Sequence, residues 1–328
     1  MSQRLAFLDY TKGFAILLLL LSHSLTNEGR QELVKTWIFA FHMPIFFVIC
    51  GYLVYLKHPL GLSPGKHLTF LRNRQKNIIE PYIFFGFILI VFFSLLNLIS
   101  GTNSWEPICQ KVFNWVTLRG VESMWFLPVY FFAEYSFLCS VQLLKEKGAM
   151  VIAFALLVLF LLFGDSIIPW QIIQIKRILI GYIYIGVGYY FAKIKIHEHI
   201  SLLFAILIML SCSILVQFNP SSSMEILNNP FLYFGNSIGM SCATLALFKC
   251  WENIKTTKDT PLLFFGQNTL IILCTNNIVI EVLRLIDFKL TGNLLLRLGL
   301  VGGVLFFILL TLSEIPVIRF FQDKIPRK

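Results

Sequence analysis

Residues 9–23 read DYTKGFAILLLLLSH, and residues 33–56 read LVKTWIFAFHMPIFFVICGYLVYL. Each stretch is apolar over most of its length and holds a histidine well inside it, His23 in the first and His42 in the second. Ionisable groups inside a membrane span are costly, so they are expected to have a function. Two of them at similar depth on neighbouring helices indicate a reaction centre within a membrane.

The composition of the whole chain supports a membrane protein. Hydrophobic residues make up 57% of it and charged residues 13%, and the mean hydropathy is +0.77. A soluble chain would carry about twice that share of charge. Apolar runs of roughly 20 residues, the length that crosses a hydrocarbon core, predict ten spans over residues 10–27, 33–56, 78–100, 123–144, 148–165, 168–192, 199–217, 226–250, 261–283 and 293–315. The predicted fold class is an all-α polytopic membrane protein with one transmembrane domain over residues 1–328 and no soluble domain.

The distribution of basic residues predicts the orientation of these spans. Of the 27 Lys and Arg residues, 18 lie on the side of the N-terminus and 9 on the other side. This bias favours both termini in the cytoplasm, as in a multi-pass protein of the plasma (inner) membrane. The net charge of +10 is explained in the same way and does not indicate a nucleic-acid partner. No small-residue cleavage site follows the first apolar run, so no cleavable signal peptide is predicted.

The first span arranges three ionisable residues on one face. Lys12 and His23 are eleven residues apart, almost three helical turns, so their side chains point the same way about 16 Å apart along the axis. Asp9, three residues before Lys12, shares that face. His42 lies seven residues after Lys35 in the second span, at a depth comparable to that of His23. Each histidine could instead only hydrogen-bond a neighbouring helix, but the matched depth and the nearby lysine favour a function.

A neutral imidazole suits such a centre, because it can take a proton from a hydroxyl and later give one to a leaving thiolate. No metal site is predicted. Residues 197–199 read His-Glu-His, which is not the spacing of a helical zinc site, and a solvated turn explains them better. The seven cysteines show no metal or disulfide spacing.

Other polar residues have both a structural and a functional interpretation. Lys66, Arg72, Arg74 and Lys76 lie in a predicted loop over residues 57–77. They could anchor the chain to anionic lipid, which composition alone favours, or bind a phosphate-bearing donor.

For single amides in spans, hydrogen bonds between helices are the usual explanation. Glu134 is a stronger candidate for a function, because a carboxylate in a membrane needs a partner. Near the outer face, Lys176 and Arg177 could grip an acidic sugar or a headgroup, or only end the sixth span.

Taken together, these motifs resemble the acyltransferase 3 family of integral-membrane acyltransferases, and most of all its stand-alone, fucose 4-O-acetylase-like branch. The matching positions are Asp9, Lys12, Gly13 and His23; Phe41, His42, Pro44, Phe46, Phe47, Gly51 and Tyr52; Arg72, Arg74, Pro81 and Tyr82; and Trp125 to Leu127. The family's late motif is kept at Gly266, Asn268, Thr269 and Leu270, but its usual histidine is replaced by Asn276. Because an amide cannot act as a base, any role of that histidine is lost or altered.

The resemblance implies transfer of an acetyl or other short acyl group from acyl-CoA, a co-substrate, to a sugar hydroxyl of a cell-surface polysaccharide or lipid-linked glycan. His23 would be the general base or carry the acyl group, His42 would orient it or stabilise the oxyanion, and Asp9 would orient Lys12. The phosphates of the donor would bind Lys12, Arg72, Arg74 and Lys76. The residues assigned to the substrate or oxyanion are Trp125, Glu134, Gln267 and Asn268.

Two other classes of protein remain open. A transporter or flippase of a glycan or lipid-linked solute would also have intramembrane charges and glycine-interrupted helices, such as residues 181–188, although paired halves with matching broken helices are not visible in the sequence. A catalytically inactive relative is supported only by Asn276. The expected partners are acyl-CoA, the glycan acceptor and membrane lipids. The acceptor hydroxyl, the acyl group, its route across the membrane and the oligomeric state, including a homodimer, are left open by the sequence.

Overall fold

The computed structural model describes residues 5–25, 29–63, 65–99, 101, 105–169, 172–254, 260–285 and 303. Its α-helices are α1 (Ala6–Ser24), α2 (Gly29–Phe39), α3 (Pro44–Lys57), α4 (His67–Arg74), α5 (Glu80–Ile99), α6 (Glu106–Val116), α7 (Phe126–Phe163), α8 (Ile173–Lys193), α9 (Ile196–His199), α10 (Leu202–Val216), α11 (Pro230–Ile254), α12 (Pro261–Gln267) and α13 (Thr269–Leu285). A π-helical segment covers Gln75–Ile79, and 3₁₀ turns cover Glu122–Trp125 and Gly164–Ile167. These ranges contain no strand, so the predicted all-α class is confirmed for them.

Several helical segments could cross a membrane. Within the described residues, five are long and apolar enough: Ala6–Ser24, Gln31–Lys57, His67–Ile99, Glu122–Ile167 and Pro230–Glu252. A sixth is reached if α12 and α13 form one broken span. The predicted tenth span, 293–315, lies outside the described residues apart from Gly303. A total of ten spans and cytoplasmic termini therefore stay predictions.

The predicted second span, 33–56, is not one continuous helix. It is divided into α2 and α3 by a turn at residues 40–43, and α3 begins at Pro44. Proline lacks the N–H of an inner helical residue, and its ring clashes with the preceding turn, but it is favoured in the first turn of a new helix. The backbone N–H of His42 donates to Ile38 O at 3.0 Å within this turn. His42 therefore lies between two helices rather than inside one.

The prediction of a loop over residues 57–77 is wrong for its second half. Helix α4 begins at His67 and continues through the π-helical segment into α5. In the widened turn, the backbone N–H of Glu80 donates to Gln75 O. Pro81 follows directly and cannot donate to the carbonyl four residues earlier, so a widened turn gives its ring room. The cluster of basic residues thus lies mostly on a helix.

Two further features concern the boundaries of the predicted spans. Lys145 interrupts α7 with a non-helical φ of 60°, close to the predicted break between the spans at 123–144 and 148–165.

Helix α6 was not predicted, because its eleven residues are too few to form a span and too polar to form an apolar run. It buries Ile108 and leaves apolar side chains such as Phe113 exposed, as expected of an amphipathic helix at a membrane surface.

The chain divides into two compact units, and each is described by itself. The first unit combines Met1–Pro64 with Phe132–Gln267, and the second combines Gly65–Phe131 with Asn268–Lys328. In the first unit, α3 packs along α8, α10 packs on α11, and α1 contacts α11 and α12. In the second unit, α5 contacts α6 and α13, and α13 also contacts the 3₁₀ turn before α7.

The tightest helix pair of the first unit, α3 and α8, depends on glycine. A Cβ added at Gly51 would lie 1.9 Å from Ile185 O, and one added at Gly188 would lie 1.9 Å from Val48 O. Larger side chains would hold the two backbones apart, so the pair follows the small-residue packing of membrane helices. The glycines at residues 181–188 that suited a transporter are therefore explained in part by packing.

Candidate active site

The cytoplasm-facing end predicted for α1 contains an ion pair. Lys12 Nζ donates to Asp9 Oδ1 at 2.6 Å, one helical turn away. Asp9 is only 3% exposed, whereas Lys12 is partly exposed. The carboxylate therefore holds the ammonium group close to α1 while leaving part of it accessible. The shared face expected for these two residues is present in the structure.

The other end of α1 carries His23. It lies in the last turn of the helix and is half-buried. The residues between Lys12 and His23 are mainly aliphatic, and most of them are buried. His23 thus has an apolar setting that is not completely closed to a ligand.

His42 is fixed by its own backbone turn. It is 5% exposed, and its Nδ1 lies 2.8 Å from Ile38 O. A carbonyl oxygen can only accept a hydrogen bond, so Nδ1 must carry the proton in this contact. In the neutral ring, the lone pair then lies on Nε2. The Phe39 ring lies beside the imidazole, with 5.4 Å between the ring centroids.

The structure places the two predicted histidines on neighbouring segments. Both belong to the first unit, and α1 contacts both α2 and α3, the helices on either side of His42. His23 lies in the last turn of α1, and His42 lies in the turn between α2 and α3, so their similar depth stays a prediction.

A contact between α1 and α12 joins two motifs that are far apart in the sequence. A Cβ added at Gly13 would lie 2.1 Å from Leu262 O, and one added at Gly266 would lie 1.8 Å from Asp9 O. Backbone therefore touches backbone where the Asp9–Lys12 pair begins. Gln267, half-buried, follows Gly266 at the end of α12. The sequence offered no sign of this contact beyond the presence of glycine inside two apolar helices.

The remaining residues assigned to substrate or oxyanion are divided between the two units. Glu134 is buried in the part of α7 that belongs to the first unit. Trp125 and Asn268 belong to the second unit. Trp125 ends the 3₁₀ turn, and its backbone N lies 2.2 Å from a Cβ added at Gly120, whose φ of +84° also favours glycine. The carbonyl of Asn268 accepts the N–H of Ile272 at 3.2 Å in the first turn of α13.

The predicted phosphate ligands are also divided. Lys12 is in the first unit, whereas Arg72, Arg74 and Lys76 are in the second. Arg72 is exposed on α4, and Arg74 lies over the Phe70 ring with 5.5 Å between its Cζ and the ring centroid. Lys76 is half-buried in the π-helical segment. The guanidinium of Arg72 is thus presented on the surface of its unit.

Ser123 forms a buried polar cluster that the sequence did not predict. Asn276 Nδ2 donates to Leu273 O at 2.7 Å and to Ser123 Oγ at 3.3 Å, and Asn277 Nδ2 donates to Ser123 Oγ at 3.0 Å. The Ser123 hydroxyl donates to Leu273 O at 3.2 Å. The amide at the position of the family histidine therefore ties α13 to the turn that carries Trp125.

Lys176 and Arg177 are held by acidic partners. Lys176 is buried, forms an ion pair with Asp165 and donates to Glu225 O at 2.5 Å. Arg177 forms an ion pair with Glu225 and donates to Gln174 Oε1 at 3.0 Å. These contacts join α8 to the segments that precede it and follow α10. They favour a structural role over the binding of an acidic sugar.

The metal-ligating residue types are not clustered in the part of the chain that the structure describes. No group of three or more His, Cys, Asp or Glu that could hold a metal ion occurs there. Glu198 and His199 are exposed in the short helix α9, so the expected solvated turn is instead a single helical turn.

A family model of an acyltransferase domain, acyltransferase 3, matches residues 5–313. The match covers nearly the whole chain, so the protein belongs to the acyltransferase 3 family. Comparison with curated proteins and with solved structures found no match.

Proposed function

We propose that this protein is a membrane O-acyltransferase of the fucose 4-O-acetylase-like kind. It moves an acetyl or other short acyl group from acyl-CoA to a sugar hydroxyl of a cell-surface polysaccharide or lipid-linked glycan. The observation that carries this proposal is the hydrogen bond from His42 Nδ1 to Ile38 O, which leaves a lone pair on Nε2 in a turn whose two flanking helices both contact the helix of His23. The family match supports acyl transfer in general.

The proposed reaction begins with His23 as general base. Its imidazole takes the proton of the acceptor hydroxyl while the hydroxyl oxygen bonds to the thioester carbonyl carbon. The carbon–sulfur bond then breaks, and the CoA thiolate takes the proton back from His23. The products are a sugar ester and free CoA. In the alternative route, His23 first carries the acyl group, and a quenched reaction would then contain labelled protein.

The other candidate residues assist this reaction. His42 orients His23 by accepting a hydrogen bond at Nε2, because its Nδ1–H already donates to Ile38 O. That hydrogen bond leaves the neutral ring no donor for the tetrahedral oxyanion, so Trp125, Gln267 or Asn268 supply the donors, and Glu134 is a substrate contact. Lys12, oriented by Asp9, binds a phosphate of acyl-CoA. The surface formed by Arg72, Arg74 and Lys76 is assigned to the same donor because Arg and Lys form charge-assisted hydrogen bonds with phosphate. The reaction takes place in the plasma membrane, with the donor entering from the cytoplasm.

The test uses purified protein in nanodiscs with radiolabelled acetyl-CoA and a cell-envelope glycan extract. Release of CoA and labelling of the glycan are followed for the wild type, His23→Ala and His42→Ala. We expect His23→Ala to abolish both signals, because loss of a general base or acyl carrier removes its step. Loss of His42 is expected to lower turnover by about 10²-fold, the usual effect of misplacing a catalytic group, because His23 loses the side chain that orients it.

The matched control is His199→Ala, which removes an exposed histidine from helix α9. It should keep wild-type activity. Full activity in His23→Ala would remove His23 from the mechanism. A wild-type protein that neither binds acetyl-CoA nor releases CoA would reject the enzyme and favour the transporter.

A further inference from the structure

A large cavity lies within the first unit between α1, α10 and α11. Its volume is about 590 Å³. The residues that line it include Phe14 of α1, Leu202 and Met209 of α10, and Thr244, Leu247 and Phe248 of α11. None of these residues is among the candidates for the acyl-transfer reaction.

The lining of this cavity suits hydrocarbon. Thr244 carries a hydroxyl, but its Oγ1 already donates to Met240 O at 2.7 Å within α11. The neighbouring side chains of Phe14, Leu247 and Phe248 are hydrocarbon, and that of Met209 is a thioether. A polar ligand would lose its hydrogen bonds to water on entering such a site, whereas an alkyl chain would lose none.

The surroundings indicate that the cavity lies close to lipid. Helix α10 has no charged residue, and it exposes a series of large apolar side chains: Leu203, Phe204, Leu207, Leu210 and Ile214. In a membrane protein such a surface is in contact with the hydrocarbon of the bilayer. The cavity is therefore separated from lipid by one lipid-facing helix.

The mouth of the cavity lies at one end of two antiparallel helices. Leu202, the first residue of α10, and Trp251, three residues before the end of α11, both line the cavity and are 44% and 49% exposed. Trp is enriched where membrane meets water. Met209 and Thr244 lie seven residues further along their helices, about 10 Å deeper at 1.5 Å per residue. The cavity thus extends inwards from the membrane surface.

We propose that this cavity binds one acyl chain of a membrane phospholipid from the leaflet in which α1 begins. The chain enters between Leu202 and Trp251 and ends against Phe14 and Met209, and the headgroup stays at the membrane surface. Phe14 directly follows Gly13 in the helix that carries Lys12 and His23. The lipid chain therefore packs against α1 and takes no part in the acyl-transfer chemistry.

Photocrosslinking of the wild-type protein tests the location of the lipid. The probe is phosphatidylethanolamine with a diazirine near the end of one acyl chain, incorporated into nanodiscs with the full-length protein. We expect the labelled peptides to contain Phe14, Met209 or Leu247. A label spread evenly over the lipid-facing residues of α10, such as Leu207 and Leu210, would overturn the proposal.

Two neighbouring substitutions give a matched comparison. Met209→Trp fills the cavity, whereas Leu210→Trp adds the same side chain to a lipid-facing position outside it. Labelling at Phe14 and Leu247 should fall about tenfold in Met209→Trp, because adding a bulky group to an occupied site opposes binding. It should stay unchanged in Leu210→Trp. Equal labelling in the two variants would reject the site, and if Met209→Trp does not fold, the wild-type map decides.

Competition distinguishes this lipid from a lipid-linked acceptor. Unlabelled phosphatidylethanolamine in excess should displace the probe from the cavity. If a polyprenyl phosphate displaces it and phosphatidylethanolamine does not, the phospholipid assignment is wrong. Because the readout is binding, its result is separate from that of the acyl-transfer assay.

Discussion

His42 and Asn276 are both buried, but their hydrogen bonds leave them with different chemistry. His42 uses Nδ1 to reach Ile38 O, which leaves a lone pair on Nε2 of the neutral ring. Asn276 uses its amide N–H groups on Leu273 O and Ser123 Oγ. An imidazole held in this way can accept a proton, whereas an amide can only hold neighbouring segments together. This difference supports the proposal that the histidines of the first unit, and not Asn276, supply the base.

Binding of the donor can be tested at Arg72. In Arg72→Gln, the KM for acetyl-CoA is expected to rise about tenfold or more with little change in kcat, because one charge-assisted hydrogen bond to phosphate is lost. The measurement is steady-state CoA release in nanodiscs. Lys147→Gln, which removes an exposed cation elsewhere, is the control. An unchanged KM in Arg72→Gln, or an equal rise in both variants, would contradict the assignment.

The sequence could predict relations between residues that are close in the chain. The common face of Asp9 and Lys12 follows from helical periodicity, and the structure shows them paired at 2.6 Å. The contact of Ser123 with Asn277 joins residues 154 positions apart, and no periodicity relates them. The cluster was missed because a lone serine or asparagine in an apolar stretch has many possible hydrogen-bond partners.

At the level of helices, proline explains two departures from the predicted organisation. Pro44 begins a new helix inside the predicted span 33–56, and Pro81 follows the π-helical segment that joins α4 to α5. Apolar runs do not reveal breaks within spans. The amphipathic helix α6 was missed because it is shorter than a membrane span, so the search for apolar runs of span length did not find it.

The contact between α1 and α12 predicts a large effect of a small substitution. Gly13→Ala places a methyl group 2.1 Å from Leu262 O, so the two backbones must separate. We expect a loss of about 1–3 kcal/mol in stability, as for other overpacked sites. Thermal unfolding in nanodiscs measures it as a lower midpoint, and acyl transfer should fall with it because Asp9 and Lys12 adjoin the contact.

Gly235→Ala is the matched control for this substitution. Gly235 also lies within a helix, α11, but a Cβ added there meets no atom within 4 Å. The exchange should leave the midpoint unchanged or raise it slightly, since alanine favours the helix by up to about 1 kcal/mol. The packing explanation would be untenable if Gly13→Ala unfolded at the same temperature as Gly235→Ala.

For the whole molecule, the predicted orientation can be tested with a native cysteine. Cys109 is exposed on α6, which lies in the segment between the predicted spans 78–100 and 123–144. The excess of basic residues on the terminal side places this segment outside the cytoplasm. A membrane-impermeant maleimide should therefore label Cys109 in intact cells, and Cys109→Ser should remove the label. Labelling only after permeabilisation would reverse the predicted orientation.

The fold class was predictable from composition, because apolar runs recur along the entire chain. The positions of Lys12 and Arg72 in different units were not predictable, because motif order carries no information about which segments pack together. The family match over residues 5–313 covers both units.

The contacts of α1 also constrain how the protein can assemble during synthesis. The backbone N–H of Phe7 donates to Glu252, 245 residues later, and Gly13 touches Leu262 of α12. Helix α1 therefore cannot complete its packing until α11 and α12 have been made. Until then the helix that carries the Asp9–Lys12 ion pair lacks these two neighbours. An unfinished chain would thus present a charged, incompletely packed helix to the membrane insertion and quality-control machinery.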